Sequence, residues 1–116
     1  MMKAWSTSKW QKECDKKMQI KGTKEFPKCE VCGGRVHCMH HFFPKSVSSR
    51  LRYDFDNLIP ICQGCHMRHH LAGDPKIHEK IKQKRGQAWY DVLEKKSREY
   101  NKVNIEYYKY IWEMLS

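Results

Sequence analysis

Two Cys-x-x-Cys pairs constrain this chain of 116 residues more than any other feature; they are Cys29 with Cys32 and Cys62 with Cys65. Each pair can present two thiolates to one ion from a tight turn, and two pairs complete a tetrahedral four-sulfur site. Zn²⁺ is the natural occupant of such a site. A redox pair is the competing interpretation, but no thioredoxin-like strand–helix–strand pattern surrounds either pair. The spacing therefore predicts a structural zinc site.

The composition limits the kind of partner and compartment. The chain has 23 basic and 13 acidic residues, a net charge of +10, which attracts polyanions and favours nucleic acid as partner. A basic surface that is merely solvated is the alternative. We see no apolar core of a signal peptide and no run near the roughly 20 apolar residues of a membrane helix. We therefore expect that the protein does not associate with membranes and that it resides in a reducing cytoplasm, which is the host cytoplasm if the chain is phage-encoded.

The segment before the first cysteine pair predicts a lysine-rich helix. A capping box begins at Ser8, and Trp10, Cys14 and Met18 recur every four residues on one face. Gly22 is the predicted helix stop. The lysines suit either a DNA-backbone contact face or a solvated face of an amphipathic helix.

Two short strands are predicted between the cysteine pairs. Residues 35–43 alternate as a strand, so the neighbours His40 and His41 point to opposite sides and can do different work. Residues 58–62 form an apolar run that predicts the partner strand, and Pro60 suggests an edge position for it.

The loop between these strands carries Lys45, Arg50 and Arg52, which suit phosphate contacts or simple solvent exposure. Asn57 closes the loop, where a side-chain hydrogen bond can fix its conformation. A helix is then predicted from Cys65.

The predicted helix after Cys65 gathers histidines on one side. His66 and His70 are four residues apart and share a helical face, and His69 lies close to it. Together with the paired histidines of the first strand, they point to a functional cluster rather than to isolated structural residues.

The order CEVC, MHHFFP, DNLIPICQGCH and MRHH resembles the HNH endonuclease superfamily. The resemblance covers residues 29–70 and implies a ββα-metal finger, here of the subset that carries a four-cysteine zinc ribbon. A longer and weaker similarity, through LRYDFDN, HLAGDP and RGQAWYDVLE, resembles the phage lambda NinG-type recombination nucleases. It implies a phage recombination or packaging role.

The resemblance implies a role for each residue of the paired histidines and for the asparagine. His40 falls where the family has a ligand of the catalytic metal, and His41 where it has the general base. Asn57 falls on the residue that orients the loop bearing that base. A neutral imidazole, with an ordinary pKa near 6.5, can accept a proton at cytoplasmic pH.

The resemblance also implies roles for the helix histidines. His66 corresponds to a second metal ligand, His70 to a residue that contacts metal or scissile phosphate, and His69 to a position that is often basic and meets DNA. Mg²⁺ or Mn²⁺ is the implied ion, although two imidazoles equally admit Ni²⁺ or Zn²⁺. The implied products carry 5′-phosphate and 3′-hydroxyl ends.

The C-terminal part is predicted to be helical. A helix opening at Asp74-Pro75 carries Ile77 and Ile81 on its buried face, with His78 on the surface, and stops at Gly86. From residue 87 onwards an apolar seven-residue repeat predicts either one long helix or two helices broken near Asn101 and Asn104. It packs back onto the finger or forms the seam of a homodimer.

We therefore expect an α+β protein of a single domain, with three parts: a basic helical lead (1–28), a zinc-ribbon HNH finger (29–70) and a helical C-terminal part (71–116). The predicted function is metal-dependent hydrolysis of DNA phosphodiesters with His41 as base. Two alternatives need no catalysis: a zinc-ribbon nucleic-acid-binding module, and a zinc-stapled protein-interaction module. Neither requires His40, His41 and His66.

Overall fold

The computed structural model of the chain describes residues 4–71 and 76–116, except for the side chains of residues 70 and 71. In the described residues, helices surround a two-stranded antiparallel sheet, which confirms the α+β fold class. The elements in chain order are α1 (Thr7–Glu25), β1 (Cys38–His41), a 3₁₀ turn (Phe55–Asn57), β2 (Leu58–Ile61), α2 (Gln63–Leu71), α3 (Lys76–Arg85), α4 (Gln87–Ser97) and α5 (Ile105–Met114).

Helix α1 begins earlier than predicted. Its N-cap is Ser6, whose side chain accepts a hydrogen bond from the Lys9 N–H at 3.2 Å, so the predicted start at Ser8 is wrong. The earlier start places Trp5 just before the cap, and its ring meets that of Trp10 edge to face at 4.8 Å. This pair is a hydrophobic staple, which sets the angle at which the chain enters the helix.

The apolar face of α1 is the predicted one, but the helix does not stop at Gly22. Trp10, Cys14 and Met18 are all buried, which confirms the stripe. Gly22 lies within the helix, where the side chain of Met39 occupies the space that a Cβ would need. The glycine therefore permits the close approach of α1 to β1, and that contact explains why a residue typical of helix ends is found in the middle.

Strand β1 is shorter than the predicted 35–43, since before Cys38 only Arg35 makes a bridge, to Lys28. The paired residues are Cys38 with Ile61, Met39 with Pro60, His40 with Ile59, and His41 with Leu58. The predicted partner strand is confirmed.

Pro60 fits this sheet because nothing requires an N–H at its position. The residue opposite, Met39, donates its N–H to the Gln19 side-chain oxygen at 2.8 Å. Its carbonyl accepts from the same Gln19 amide at 2.9 Å. Helix α1 thus covers the outer edge of β1 through one glutamine. On the outer edge of β2 the Pro60 carbonyl accepts the Glu30 N–H at 2.9 Å, and because the described sheet has two strands, the edge position predicted from Pro60 is confirmed.

The sheet separates two apolar cores. The first joins α1, α5 and one face of the hairpin, and contains Trp10, Cys14, Met18, Met39, Tyr53, Leu58, Tyr108, Ile111 and Leu115. The second joins the other face to α3 and α4, and contains Cys29, Phe42, Leu51, Ile59, Ile61, Cys65, Ile77, Ile81 and Leu93. The buried isoleucines predicted for α3 are confirmed.

The C-terminal repeat forms two helices rather than one. Helix α5 starts at its N-cap Asn104, whose side chain accepts the Tyr107 N–H at 2.9 Å, so the predicted break is confirmed. Leu93 of α4 packs on the finger, whereas Ile111 of α5 packs on α1. The division into lead, finger and helical C-terminal part within one domain stays a prediction. Among the described residues, no helix combines the length and apolarity needed to cross a membrane.

Candidate functional site

The four predicted cysteines form one cluster. The sulfur atoms of Cys29, Cys32, Cys62 and Cys65 all lie within 4.8 Å of one another. Two of them, on Cys32 and Cys62, are 3.6 Å apart. A tetrahedral ion with metal–sulfur bonds of about 2.3 Å needs sulfur atoms about 3.8 Å apart. The donor set and its spacing therefore fit one zinc ion.

Backbone N–H groups direct the thiols toward one point. Gly33, at φ +77°, donates its N–H to the Cys29 carbonyl at 2.8 Å and closes the first turn. The second pair opens α2, where the Cys65 N–H meets the Cys62 sulfur at 3.4 Å. Burial raises the pKa of Cys29, but hydrogen bonds from backbone N–H groups, led by that of Cys32, outweigh it and lower the pKa to about 7. Such bonds favour the thiolate that a metal requires.

A second cluster is made of imidazoles. His40 of β1, His69 of α2 and His78 of α3 each bring one ring nitrogen within 4.8 Å of the others. The Nε2 atoms of His40 and His78 are 3.1 Å apart. The prediction that His78 is a surface residue is wrong, because α3 packs against the finger and turns this side chain toward β1.

His66 lies beside this cluster. Its ring centroid is 5.6 Å from that of His40, and its Nδ1 is 3.7 Å from the Cys38 sulfur. His40 and His66 are therefore neighbours, but the three-histidine cluster does not include His66. His69 is closer to His40, at 4.9 Å between ring centroids. The side chain of His70 lies outside the described residues.

A cavity of about 530 Å³ connects the imidazoles to the second histidine of β1. Its lining includes His40, His41, Lys45, His66, His69 and His78. A larger cavity, of about 620 Å³, lies between Arg50 and α5, and neither imidazole nor thiol lines it among the described residues. The chemistry that the sequence predicts therefore belongs to the smaller cavity.

His41 is held by a backbone carbonyl. Its Nε2 is 2.9 Å from the Arg52 carbonyl oxygen, so the imidazole donates Nε2–H and keeps Nδ1 as an acceptor. Burial lowers the pKa of His41; the bond to Arg52 raises it, and the nearby Lys45 and Arg52 charges lower it further. The neutral imidazole is therefore the favoured form at neutral pH.

Helix α1 fixes the residue that supplies this carbonyl. The Arg52 guanidinium forms a two-point ion pair with Asp15, with nitrogen–oxygen distances of 2.9 and 2.5 Å. The Tyr53 hydroxyl also donates to Asp15, at 2.8 Å. Nothing in the spacing of the sequence pointed to Asp15, since it lies 37 residues from Arg52.

Asn57 ties the loop to the strand. It is fully buried, its Oδ1 accepts the Phe43 N–H at 2.8 Å, and its Nδ2 donates to the carbonyls of Phe43 and Leu51 at 3.1 and 3.2 Å. These bonds hold the two ends of the loop that carries Arg52. The local hydrogen-bonding role expected of Asn57 is therefore present.

The predicted DNA contacts differ in their surroundings. Lys45 is exposed at the edge of the cavity. Arg50 pairs with Asp54 and Glu99, at 3.8 and 3.3 Å, and the Arg52 side chain is engaged by Asp15. His69 stands within the imidazole cluster.

These features define a class of fold and site. An antiparallel hairpin is followed directly by a helix, imidazoles extend from strand and helix toward one cavity, and a four-cysteine cluster joins the hairpin to the helix. This is the arrangement of a ββα-metal finger with a zinc ribbon.

The comparisons with known proteins agree with this class. The model of the HNH endonuclease family matches residues 29–71, the segment that holds the hairpin, the start of α2 and all four clustered cysteines. No curated protein and no solved structure gave a significant match. The narrower resemblance to NinG-type nucleases stays a prediction.

The matched segment leaves out two residues at the cavity or next to it, Asp15 and His78. One signal in the sequence could have pointed to His78: the seven histidines of the chain all fall between residues 37 and 78. Such a concentration indicates that each of them is a candidate metal ligand.

Proposed function

We propose that the chain is a metal-dependent DNA endonuclease with His41 as general base. The observation that carries the proposal is one cavity lined both by His41, which a backbone carbonyl holds, and by a cluster of imidazoles that could hold a metal ion. Hydrolysis of a phosphodiester needs both an activated water and stabilisation of charge at phosphorus. A zinc ribbon that only binds DNA needs neither.

His41 acts through its Nδ1. Because Nε2–H is engaged by the Arg52 carbonyl, the remaining ring nitrogen accepts a proton from a water that attacks phosphorus. Asn57 keeps that carbonyl in place by fixing the loop, and Asp15 does so by fixing the Arg52 side chain. Proton transfer to a base held in this way contributes typically about 10² to 10⁴ in rate.

His40 and His66 are the proposed ligands of the catalytic ion, with His69 next to them. When bound, a divalent ion supplies Lewis-acid stabilisation of the phosphate oxygens and of the leaving oxygen. The resemblance implies Mg²⁺ or Mn²⁺ as that ion. For His70 the proposed role is a contact with metal or scissile phosphate, on the resemblance alone.

The DNA backbone is the proposed partner of the basic residues around the cavity. Lys45 is in the best position for a phosphate contact, since it is exposed beside His41. Arg50 and Arg52 are proposed for the same role because their charge suits phosphate contacts, but each must share its guanidinium with a carboxylate. The net charge of +10 adds an attraction that depends on salt rather than on sequence.

Three finer proposals rest on the sequence patterns. A phage recombination or packaging role follows from the NinG-type resemblance, and a cytoplasmic location agrees with the expectation that the cysteines serve as metal ligands in a reducing compartment. A homodimer through α5 is supported by Tyr110 and Met114, which remain 65% and 48% exposed on that helix. Pairing of two such sites would convert nicking into double-strand cleavage.

A cleavage assay tests the proposed function. Supercoiled plasmid and a four-way junction are incubated with the wild type, with His41→Ala and with His37→Ala, in Mg²⁺, Mn²⁺, Co²⁺ or Zn²⁺. His37 lies on the same cavity wall but outside both clusters. We expect metal-dependent cutting that falls by about 10² to 10⁴ in His41→Ala alone.

Equal zinc content and equal far-UV circular dichroism of the three proteins serve as the folding control. DNA binding without cutting in any of these ions would overturn the nuclease and leave the alternative, a zinc-ribbon nucleic-acid-binding module.

A further inference from the structure

We propose that His78 of α3 is a further protein ligand of the catalytic ion, and that the site in consequence selects Zn²⁺, Co²⁺ or Ni²⁺ over Mg²⁺. The inference deepens the proposed function and rests on it in one respect, that the ion held here is the catalytic one. His78 lies seven residues beyond the segment that matches the HNH family, so that match assigns it no role.

The positions of the ring nitrogens carry the first step. An ion with metal–nitrogen bonds of about 2.1 Å holds two neighbouring nitrogens about 3.0 to 3.4 Å apart, depending on its geometry. The Nε2 atoms of His40 and His78 are already 3.1 Å apart. His69 brings a third ring nitrogen within 4.8 Å of both.

The packing of α3 carries the second step, because it holds His78 in place. Ile77 and Ile81 are buried in the core beneath the finger. The ring of Phe42, itself buried, stacks against His78 at 4.4 Å with an angle of 22° between the planes. A ligand whose helix and ring are both packed loses little freedom when it binds an ion.

A contact at the far end of α3 ties this helix to the zinc ribbon. Arg85, two turns after His78 on the same helix, makes a two-point ion pair with Glu30, both bonds being 2.7 Å. Glu30 stands inside the first cysteine pair, between Cys29 and Cys32. The four-sulfur site therefore helps to hold the helix that delivers His78.

The chemistry of the donors carries the last step. Among the described residues, the cluster offers imidazole nitrogens and no carboxylate. Mg²⁺ prefers oxygen ligands in octahedral geometry, whereas imidazole suits Zn²⁺, Co²⁺ and Ni²⁺. Three imidazoles also leave positions open for water and phosphate, which a catalytic site needs.

A metal titration that does not depend on activity tests the inference. Protein with one equivalent of zinc in the four-sulfur site is titrated with Co²⁺, Zn²⁺ or Mg²⁺ by calorimetry, and with Co²⁺ by absorption spectroscopy. The proteins compared are the wild type, His78→Ala, His78→Gln and the control His37→Ala. We expect a second site for Co²⁺ and Zn²⁺ that excess Mg²⁺ does not compete for.

Both substitutions of His78 should weaken that second site by at least about 100-fold, whereas His37→Ala should leave it unchanged. His78→Gln keeps a planar group against Phe42, so a loss seen in both variants at unchanged unfolding temperature reports the lost ligand rather than a lost fold. Unchanged affinity in both variants, or equal competition by Mg²⁺, would overturn the inference. Two neutral imidazoles that merely share a hydrogen bond would give that result.

The two proposals fail in different experiments. In one outcome, the protein fails to cut DNA while both His78 variants still lose the second metal site. That result would support His78 as a metal ligand and the metal selectivity of the site, but it would overturn the catalytic use of the ion. Cutting that requires Mg²⁺ and is unaffected by His78→Ala would support the proposed nuclease activity and overturn the proposal that His78 is a metal ligand.

Discussion

The four-sulfur cluster takes its cysteines from two turns, whereas the proposed imidazole site takes its histidines from three separate elements. Cys29 and Cys32 share the first turn, and Cys62 and Cys65 share the second, so each pair is fixed by its own short loop. The three histidines come from β1, α2 and α3, and only the packing of those elements brings them together.

This difference predicts which of the two sites depends on the other for its structure. The cysteines need the hairpin and the start of α2, both of which lie next to them in the chain. The imidazoles need the hairpin, α2 and the docking of α3, which is itself fastened to the first cysteine turn through Arg85 and Glu30. Damage to the sulfur site should therefore reach the imidazoles, whereas damage at the imidazoles should leave the zinc in place.

The largest effect is expected from Cys29→Ser, which removes one sulfur ligand. Structural zinc sites in finger peptides contribute about 10–16 kcal/mol of apparent binding energy, so we expect loss of the zinc and of most of the folded state. Zinc content and far-UV circular dichroism measure both, and the second metal site should vanish with them. Cys14→Ala is the matched control, since Cys14 is buried outside the cluster, and it should keep its zinc. A folded, fully zinc-loaded Cys29→Ser protein would contradict the dependence.

A smaller effect is expected from Asp15→Asn, which touches neither metal site. The substitution weakens the ion pair that holds Arg52, whose carbonyl orients His41. A misplacement of about 1 Å can cost about 10²-fold, so partial loosening predicts a fall in kcat of roughly 10-fold. KM for DNA and the second-site metal affinity should stay unchanged, which separates a positioning role from general damage.

The control for Asp15→Asn is Asp91→Asn, because Asp91 bonds only to Gln87 on the exposed side of α4 among the contacts described for it. Steady-state kinetics on a plasmid substrate compares the two variants. Equal kcat values for Asp15→Asn and Asp91→Asn would contradict the proposal that α1 positions His41.

The smallest effect is expected from Arg85→Gln, which loosens the tie between α3 and the cysteine turn. The pair is two-point and mostly buried, but it acts on the second site only through the position of α3, and such indirect coupling changes affinity by about 0.5–2 kcal/mol. We therefore expect the second-site affinity to fall by about fivefold. Zinc content should not change. Lys80→Gln, which removes the same charge from an exposed position on the same helix, is the control for calorimetry. A fall of equal size in the control would attribute the effect to net charge and break the proposed coupling between the sites.

Local patterns predicted well wherever neighbours in the sequence decide the structure. The cysteine turns, the hairpin partner strand, the buried stripe of α1 and the opposite sides taken by His40 and His41 all follow from spacing or alternation. Asn57 was expected to hold the loop through its side chain, and it does so with three hydrogen bonds.

Predictions failed where a distant contact outweighed a local preference. Ser8 is a good cap, but the packing of Trp5 on Trp10 selects Ser6. Gly22 is a good helix stop, but in the fold it makes room for Met39. The residue type limits which local structures a position can adopt, and contacts with residues distant in sequence decide which of these structures forms.

The sequence by itself determined the four-cysteine cluster, the ββα finger and the place of the paired histidines, because short spacings along the chain fix these features. Only the tertiary structure decided that α3 turns His78 toward His40 and that Asp15 braces the residue holding His41. Both depend on side chains 37 or more residues apart, whose meeting is set by the burial of apolar faces and not by any local rule.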